Sequence, residues 1–104
     1  MMRKVAGFDW DEGNIAKCKR PGLSAAELEE FFRGQIWLQT DAKHSEAEAR
    51  FIAIGLSTGG RPMFVAFTWR NSPQGWLIRP ITARFMHDRE AKKCEEAFTR
   101  FQKR

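Results

Sequence analysis

The sequence predicts an α+β fold: an antiparallel four-stranded sheet with an additional short N-terminal strand, two N-terminal helices and a C-terminal helix. The first observation behind this prediction is composition, since 42% of the 104 residues are apolar and nine Phe and four Trp are among them. That is enough apolar bulk for one core but not for two. The second is that segments with alternating apolar residues are mixed with segments of helical spacing. Without a repeat or a long linker, residues 1–104 are expected to form a single domain.

The N-terminal region predicts a strand followed by a short helix. Val5–Trp10 has the composition of a strand, and Asp11 offers an N-cap oxygen to a helix that ends before Pro21. The second helix carries three terminal signals, namely a capping box, a hydrophobic staple and a following glycine. These signals are Ser24 with Glu27, Leu23 with Leu28, and Gly34.

Four alternating segments predict the strands of the sheet: Gln35–Thr40, Arg50–Leu56, Pro62–Trp69 and Trp76–Arg84. The connectors Gly59-Gly60 and Ser72-Pro73-Gln74-Gly75 have hairpin composition, so we expect an antiparallel meander. The last segment, Asp88–Phe101, places Ala91, Cys94, Ala97, Phe98 and Phe101 at helical spacing and predicts an amphipathic helix.

The charge distribution indicates an anionic partner. Residues 1–52 hold eight Lys or Arg and nine Asp or Glu, whereas residues 53–104 hold ten against four. Such a basic half is typical of proteins that bind RNA or DNA, although a solvated basic face is the alternative. A domain that binds DNA directly is disfavoured because there is no helix-turn-helix pattern or basic recognition helix.

Several other classes of protein are not expected. Cys18 and Cys94 have no partner cysteines at metal spacing, so we expect two ordinary thiols, no metal and no cofactor. The chain has no apolar run long enough for a membrane span and no signal-peptide pattern, which predicts a cytoplasmic protein without a membrane partner.

Arginines on the predicted strands form the main candidate for a functional cluster. Arg50, Arg70, Arg79 and Arg84 can converge near the sheet if the strand register allows it. Simple alternation puts Arg79 and Arg84 on opposite faces of their strand. A cluster of guanidinium groups fits phosphate, because its planar donors match phosphate oxygens.

Four motifs resemble those of one protein family. The run His44-Ser45-Glu46-Ala47-Glu48-Ala49-Arg50-Phe51-Ile52-Ala53-Ile54-Gly55 closely resembles the HSExExRFxxIG signature of BrnT-type toxins. Three shorter motifs agree with it in the family's order: Phe8-Asp9-Trp10-Asp11, Phe67-Thr68-Trp69-Arg70 and Arg79-Pro80-Ile81-Thr82-Ala83-Arg84. Together they cover most of residues 8 to 86. The resemblance implies a RelE-like fold, an mRNA-cleaving activity that inhibits translation, and neutralisation by a BrnA-like ribbon-helix-helix antitoxin through which DNA is bound indirectly.

The resemblance also implies a catalytic site. At matching positions, Arg50, Arg79 and Arg84 are candidates for binding the phosphate and stabilising its charge. Their structural alternative is an ion pair with a residue such as Glu46 or Glu48. His44 is a candidate general acid or base, because its ordinary pKa of about 6.5 suits proton transfer near neutrality. Alternatively, His44 caps the loop before Arg50.

Four further residues are candidates for RNA binding: Arg70, Thr68, Glu46 and Trp76. Glu46 is also a weaker candidate base, Thr68 can donate a hydrogen bond to phosphate or satisfy its own strand, and Trp76 can stack on a base or pack in the core.

Two departures from the family leave an alternative function open. Arg20-Pro21-Gly22 stands where members commonly have Lys-His-Gly, and the chain has no Tyr. The alternative is a non-catalytic, degenerate toxin fold that binds a protein partner or RNA without turnover. A toxin without its antitoxin can also self-associate as a homodimer.

Overall fold

The chain folds into three helices and a five-stranded, mostly antiparallel sheet, which confirms the predicted α+β class. A computed structural model describes residues 4–44 and 48–102, except for the side chains of residues 44 and 97–102. In chain order the elements are β1 (Val5–Phe8), α1 (Glu12–Cys18), α2 (Ala25–Arg33), β2 (Ile36–Thr40), a short 3₁₀ helix (Ala42–His44), β3 (Phe51–Leu56), β4 (Pro62–Ser72), β5 (Gly75–Phe85) and α3 (Asp88–Gln102).

The sheet has the strand order β1-β5-β4-β3-β2. β2, β3, β4 and β5 form the predicted antiparallel meander. β4 and β5 extend further than the sequence predicts, to a tight turn in which Ser72 pairs with Gly75. Gly75 has a φ of +124°, a conformation that glycine adopts without steric cost. β1 adds to the edge in parallel with β5, an orientation that the sequence did not indicate.

A β-bulge in β5 changes which residues share a face. Ala66 pairs with Thr82 while Phe67 pairs with Pro80, so Ile81 is an extra residue without a direct partner on β4. Arg79 lies opposite Thr68 and Arg84 lies opposite Phe64, two residues of β4 at even spacing. Directly paired residues point to the same side of a sheet. The prediction that Arg79 and Arg84 lie on opposite faces is therefore wrong, because simple alternation does not account for the bulge.

One face of the sheet packs against α1 and α2 and forms the core. Phe67 is fully buried in its centre, and its ring makes an edge contact with Phe32 of α2 at 5.2 Å between centroids. The other buried apolar residues of the core are Cys18, Leu23, Leu28, Phe31, Ala53, Met63, Val65, Ile78 and Ala83. We call the opposite side, which carries Phe64, Thr68 and Arg79, the outer face.

The predicted helix signals are present at both N-terminal helices. Asp11 caps α1 in a capping box with Asn14, and Ser24 caps α2 in a capping box with Glu27. Both residues of the predicted hydrophobic staple are buried, and Gly34 is the C-cap of α2. Local sequence therefore fixes where these short helices begin, as expected when capping satisfies the free amide groups of the first turn.

The helix α3 covers one end of the outer face. A groove of about 460 Å³ lies between it and the sheet, lined by Trp37, Gln39, Ile54, Phe64, Met86, Glu90, Lys93 and Cys94. None of the helices in residues 4–44 and 48–102 is long and apolar enough to cross a membrane.

Candidate functional site

Two of the predicted arginines lie in one row across the outer face. Thr68 of β4 pairs with Arg79 of β5. On the other side of β4, Phe51 pairs with Phe67, and the same register continued by one residue places Arg50 opposite Thr68. The backbone of Arg50 is held there by a 2.9 Å hydrogen bond from the amide of Asp41. We call Arg50, Thr68 and Arg79 the arginine row; paired side chains start about 5 Å apart.

Thr68, in the middle of the arginine row, has a buried hydroxyl group. The residue is 2% exposed, and its Oγ1 atom has no hydrogen-bond partner within the described part of the chain. Burying a hydroxyl without a hydrogen bond costs about 1–3 kcal/mol. This hydroxyl lies between two arginines of the row and is covered by its neighbours in the structure.

Arg79 is held in place by two carboxylates. Its Nη2 atom donates a 2.7 Å hydrogen bond to Oδ2 of Asp11, and its Nη1 atom lies 3.5 Å from Oδ2 of Asp9. The pKa of the Asp11 carboxyl is lowered, first by the hydrogen bond from the Asn14 amide and then by that from Arg79. The pKa of Arg79 is raised, chiefly by the hydrogen bond to Asp11. Both side chains are therefore charged and Arg79 is ordered.

Arg70 lies at the same end of the outer face, two residues beyond Thr68 on β4. Its Nη1 atom is 3.3 Å from Oε2 of Glu48, a carboxylate that the sequence suggested as a partner for Arg50, Arg79 or Arg84 and not for Arg70. Both side chains are substantially exposed, so this pair contributes little stability. Arg70 therefore lies at the exposed edge of this end of the outer face, paired with a carboxylate.

Arg84 lies on the same face but not in the arginine row. It pairs with Phe64, four residues from Thr68 along β4, which corresponds to about 13 Å. Its guanidinium stacks on the Phe64 ring at 4.5 Å and donates two 2.9 Å hydrogen bonds to the carboxylate of Glu90 on α3. The pKa of Glu90 is lowered to about 2, chiefly by these bonds and then by a bond from the His87 amide. Arg84 therefore connects α3 to the sheet.

The remaining candidates occupy three different places. The backbone of His44 ends the 3₁₀ helix that follows Asp41, which brings it near the Arg50 end of the row; its side chain is not described. Glu46 lies outside the described residues. Trp76 alternates with the buried Ile78 and so belongs to the core-side face, away from the arginines.

A comparison with known protein families identifies the family of the chain. Residues 10–90 match the model of a family described as the ribonuclease toxin BrnT of type II toxin–antitoxin systems. This chain belongs to the BrnT family. Membership implies an RNA target and an antitoxin partner. No curated protein and no solved structure matches the chain significantly.

Sequence analysis of this BrnT family member missed the acidic partners of its arginines. Asp9 and Asp11 were identified as part of a motif, and Asp11 as a cap, but not as partners of Arg79. Glu90 of α3 was not identified as a partner of Arg84, although it forms an ion pair with it. These contacts join residues from different elements. The contacts of Asp9 and Asp11 with Arg79 form only because β1 and α1 pack against β5.

The ion pair between Arg84 and Glu90 predicts a pH dependence of the contact between α3 and the sheet. Because the pKa of Glu90 in the folded chain is about 2, below its ordinary value of 4.5, its stabilising effect is complete above pH 4.5. The effect is lost as the pH falls from 4.5 through 2. We expect amide hydrogen exchange of residues 88–96 to accelerate relative to β4 over this range. In Glu90→Gln the acceleration should already be present at pH 6; protection unchanged in that variant would contradict the prediction.

Proposed function

We propose that this BrnT family member is an endoribonuclease that cleaves mRNA without a metal ion and so inhibits translation. The observation that carries the proposal is the arginine row, in which a buried hydroxyl without a hydrogen-bond partner among the described residues lies between two arginines. Guanidinium groups supply fixed planar donors for phosphate oxygens, and a hydroxyl adds a further donor. This donor set suits the negative charge that develops on phosphorus during cleavage.

The proposed reaction is attack of a ribose 2′-oxygen on the adjacent phosphorus. The new bond closes a 2′,3′-cyclic phosphate, and the bond to the 5′-oxygen of the next nucleotide breaks. A base removes the proton of the 2′-hydroxyl, and an acid supplies one to the departing 5′-oxygen. Arg50 and Arg79 hold the non-bridging oxygens, and Thr68 donates to one of them once the side chains that cover its hydroxyl in the free protein move aside. Cations already fixed in the site need little reorganisation as the charge grows.

Other candidates are assigned roles around this centre. His44 is the proposed acid or base, since its backbone lies near the Arg50 end of the row, and Glu46 is the second candidate base. Arg70 binds the RNA backbone beside the scissile phosphate. Arg84, about 13 Å along the sheet, is placed to bind a more distant phosphate once it leaves Glu90. Trp76 lies on the core-side face, so it stacks on RNA only if the RNA reaches around the edge of the sheet.

The proposed partner is a BrnA-like antitoxin of the ribbon-helix-helix class, and DNA is reached only through it. The support is family membership, which implies an antitoxin but not its class. Because mRNA is translated in the cytoplasm, the activity is proposed to be cytoplasmic. Without antitoxin, the free toxin is proposed to be able to form a homodimer.

The test is a digest of unstructured RNA by the purified chain in excess EDTA, with analysis of the product ends. We expect 2′,3′-cyclic phosphate ends, and fewer of them with Arg84→Ala. Cleavage that appears only when Mg²⁺ replaces EDTA would contradict metal independence. RNA that stays intact with or without metal, and also in a translation extract, would favour a non-catalytic toxin fold that binds RNA or a partner.

The buried hydroxyl predicts opposite effects on stability and on RNA affinity. Thr68→Val replaces it with a methyl group of similar size, so we expect the free energy of unfolding to rise by about 1 kcal/mol. This corresponds to a melting temperature about 4–8 °C higher, measurable by calorimetry. Affinity for RNA should fall several-fold, because one donor to phosphate is lost. The exposed Thr40→Val on β2 serves as the control and should change neither quantity appreciably.

A further inference from the structure

The contacts of Asp11 divide its carboxylate between a helix and an arginine. One oxygen, Oδ1, accepts the amide of Asn14 at 2.9 Å and so caps α1. The other, Oδ2, accepts Nη2 of Arg79 at 2.7 Å. The cap alone needs a single oxygen acceptor, which Asn or Ser provides as well as Asp. The second oxygen therefore has a separate role.

Asn14 fixes the direction from which Asp11 approaches Arg79. Its side chain is buried and donates to the carbonyl oxygens of Asp9, at 2.9 Å, and of Pro80, at 2.8 Å. Its own Oδ1 accepts the amide of Asp11 at 2.7 Å. The end of β1, the start of α1 and the residue next to Arg79 on β5 are thus joined through one buried amide. A flexible carboxylate at the surface would lack this support.

Arg79 keeps donors for a ligand after these contacts. A guanidinium has five N–H donors; the hydrogen bond to Asp11 uses one of them, and the Nη1 contact with Asp9 engages a second. The Arg79 side chain is 22% exposed, beside the buried hydroxyl of Thr68. Fixing a long side chain before binding reduces the entropy that binding would otherwise cost.

We infer that Asp11 is a positioning residue, which orders Arg79 for the phosphate of an RNA backbone without touching the RNA. This inference rests on the proposed function of the arginine row. The opposing possibility is that Asp11 competes with phosphate for Arg79. The two possibilities predict opposite changes in RNA affinity. Removal of a positioning carboxylate weakens RNA binding, whereas removal of a competitor strengthens it.

The test compares Asp11→Asn with Glu12→Gln. Both variants remove one negative charge. In Asp11→Asn, the side-chain oxygen of Asn still accepts the amide of Asn14 and so still caps α1. The NH₂ group of Asn, however, stands in place of the oxygen that accepted from Arg79. Glu12 is exposed, lies one residue away and serves as the matched charge control. The probe is a single-stranded 2′-O-methyl RNA, which lacks the attacking hydroxyl, and its affinity is measured by fluorescence anisotropy with melting temperatures alongside.

We expect Asp11→Asn to bind the probe about tenfold more weakly than the wild type, while Glu12→Gln binds equally well or slightly more tightly. In an Arg79→Ala background, Asp11→Asn should cause no further loss, because a positioning residue acts only through the group that it orders. That non-additivity separates positioning from a general loss of stability.

Three results would overturn the inference: Asp11→Asn binding as tightly as Glu12→Gln, an equal loss in the Arg79→Ala background, or no binding of the probe by the wild type. Cleavage is not measured in this experiment. A chain that binds the probe in this pattern but leaves RNA intact would therefore support the role of Asp11 and contradict the proposed cleavage. A chain that cleaves RNA but does not show this binding pattern would support the proposed cleavage and contradict the role of Asp11.

Discussion

Arg79→Ala is expected to reduce the rate of RNA cleavage by about a hundredfold or more, the effect typical of removing one preorganised donor from a site of charge stabilisation. The substitution removes a cation from the arginine row and leaves the carboxylates of Asp9 and Asp11 facing the RNA without it. Single-turnover cleavage under EDTA measures the effect. Arg79→Lys should retain part of the activity, since an ammonium keeps the charge but loses the planar fork of donors.

Arg33→Ala provides the control for this prediction. Arg33 on α2 is also paired with two carboxylates, those of Glu29 and Glu30, and its loss changes the net charge equally. It lies on a helix that packs against the core side of the sheet. Its substitution should slow cleavage only slightly, through weaker long-range attraction of RNA. Equal cleavage rates for Arg79→Ala and Arg33→Ala would contradict the assignment of Arg79 to the site.

Phe67→Ala is expected to lower the free energy of unfolding by about 3–5 kcal/mol. Phe67 is fully buried and its ring contacts those of Phe32, Phe51 and Trp69, at centroid distances of 5.2, 5.7 and 5.5 Å. These contacts join β4 to α2 and to the neighbouring strand, so a cavity here weakens several elements together. Since the free energy of unfolding of a domain is about 5–15 kcal/mol, the substitution removes a large part of it.

Urea unfolding followed by tryptophan fluorescence measures this change. Leu56→Ala is the matched truncation at an exposed position, because Leu56 at the end of β3 is 56% exposed. It should change the free energy of unfolding by no more than about 0.5 kcal/mol. A loss at Phe67 as small as that at Leu56 would contradict the arrangement of the core around β4.

Local chemistry made much of the fold predictable from the sequence. The N-cap at Asp11, the capping box at Ser24 and the turn at Gly75 involve residues only a few positions apart, so these interactions can be inferred from spacing. Alternation located the four strands of the meander because each strand buries one side against the same core. The motifs around Arg50, Arg79 and Arg84 indicated the family to which the chain belongs.

The candidate site was predictable as a set of residues but not as a geometry. Whether Arg79 and Arg84 share a face depends on the bulge at Ile81, and alternation alone gave the wrong answer. The pairing of Thr68 with Arg79 depends on register, which sequence does not encode residue by residue. The separation of Arg84 from the arginine row follows from the same register.

The sequence by itself determined the fold class, the ends of the short helices, the basic second half and the family. Those properties arise from composition and from interactions over a few residues. Only the tertiary structure decided which arginines are neighbours, that β1 joins β5 in parallel, and that Asp9 and Asp11 reach Arg79. Each of these contacts joins segments distant in sequence, and packing of the whole core against the sheet selects among the registers that local preferences permit.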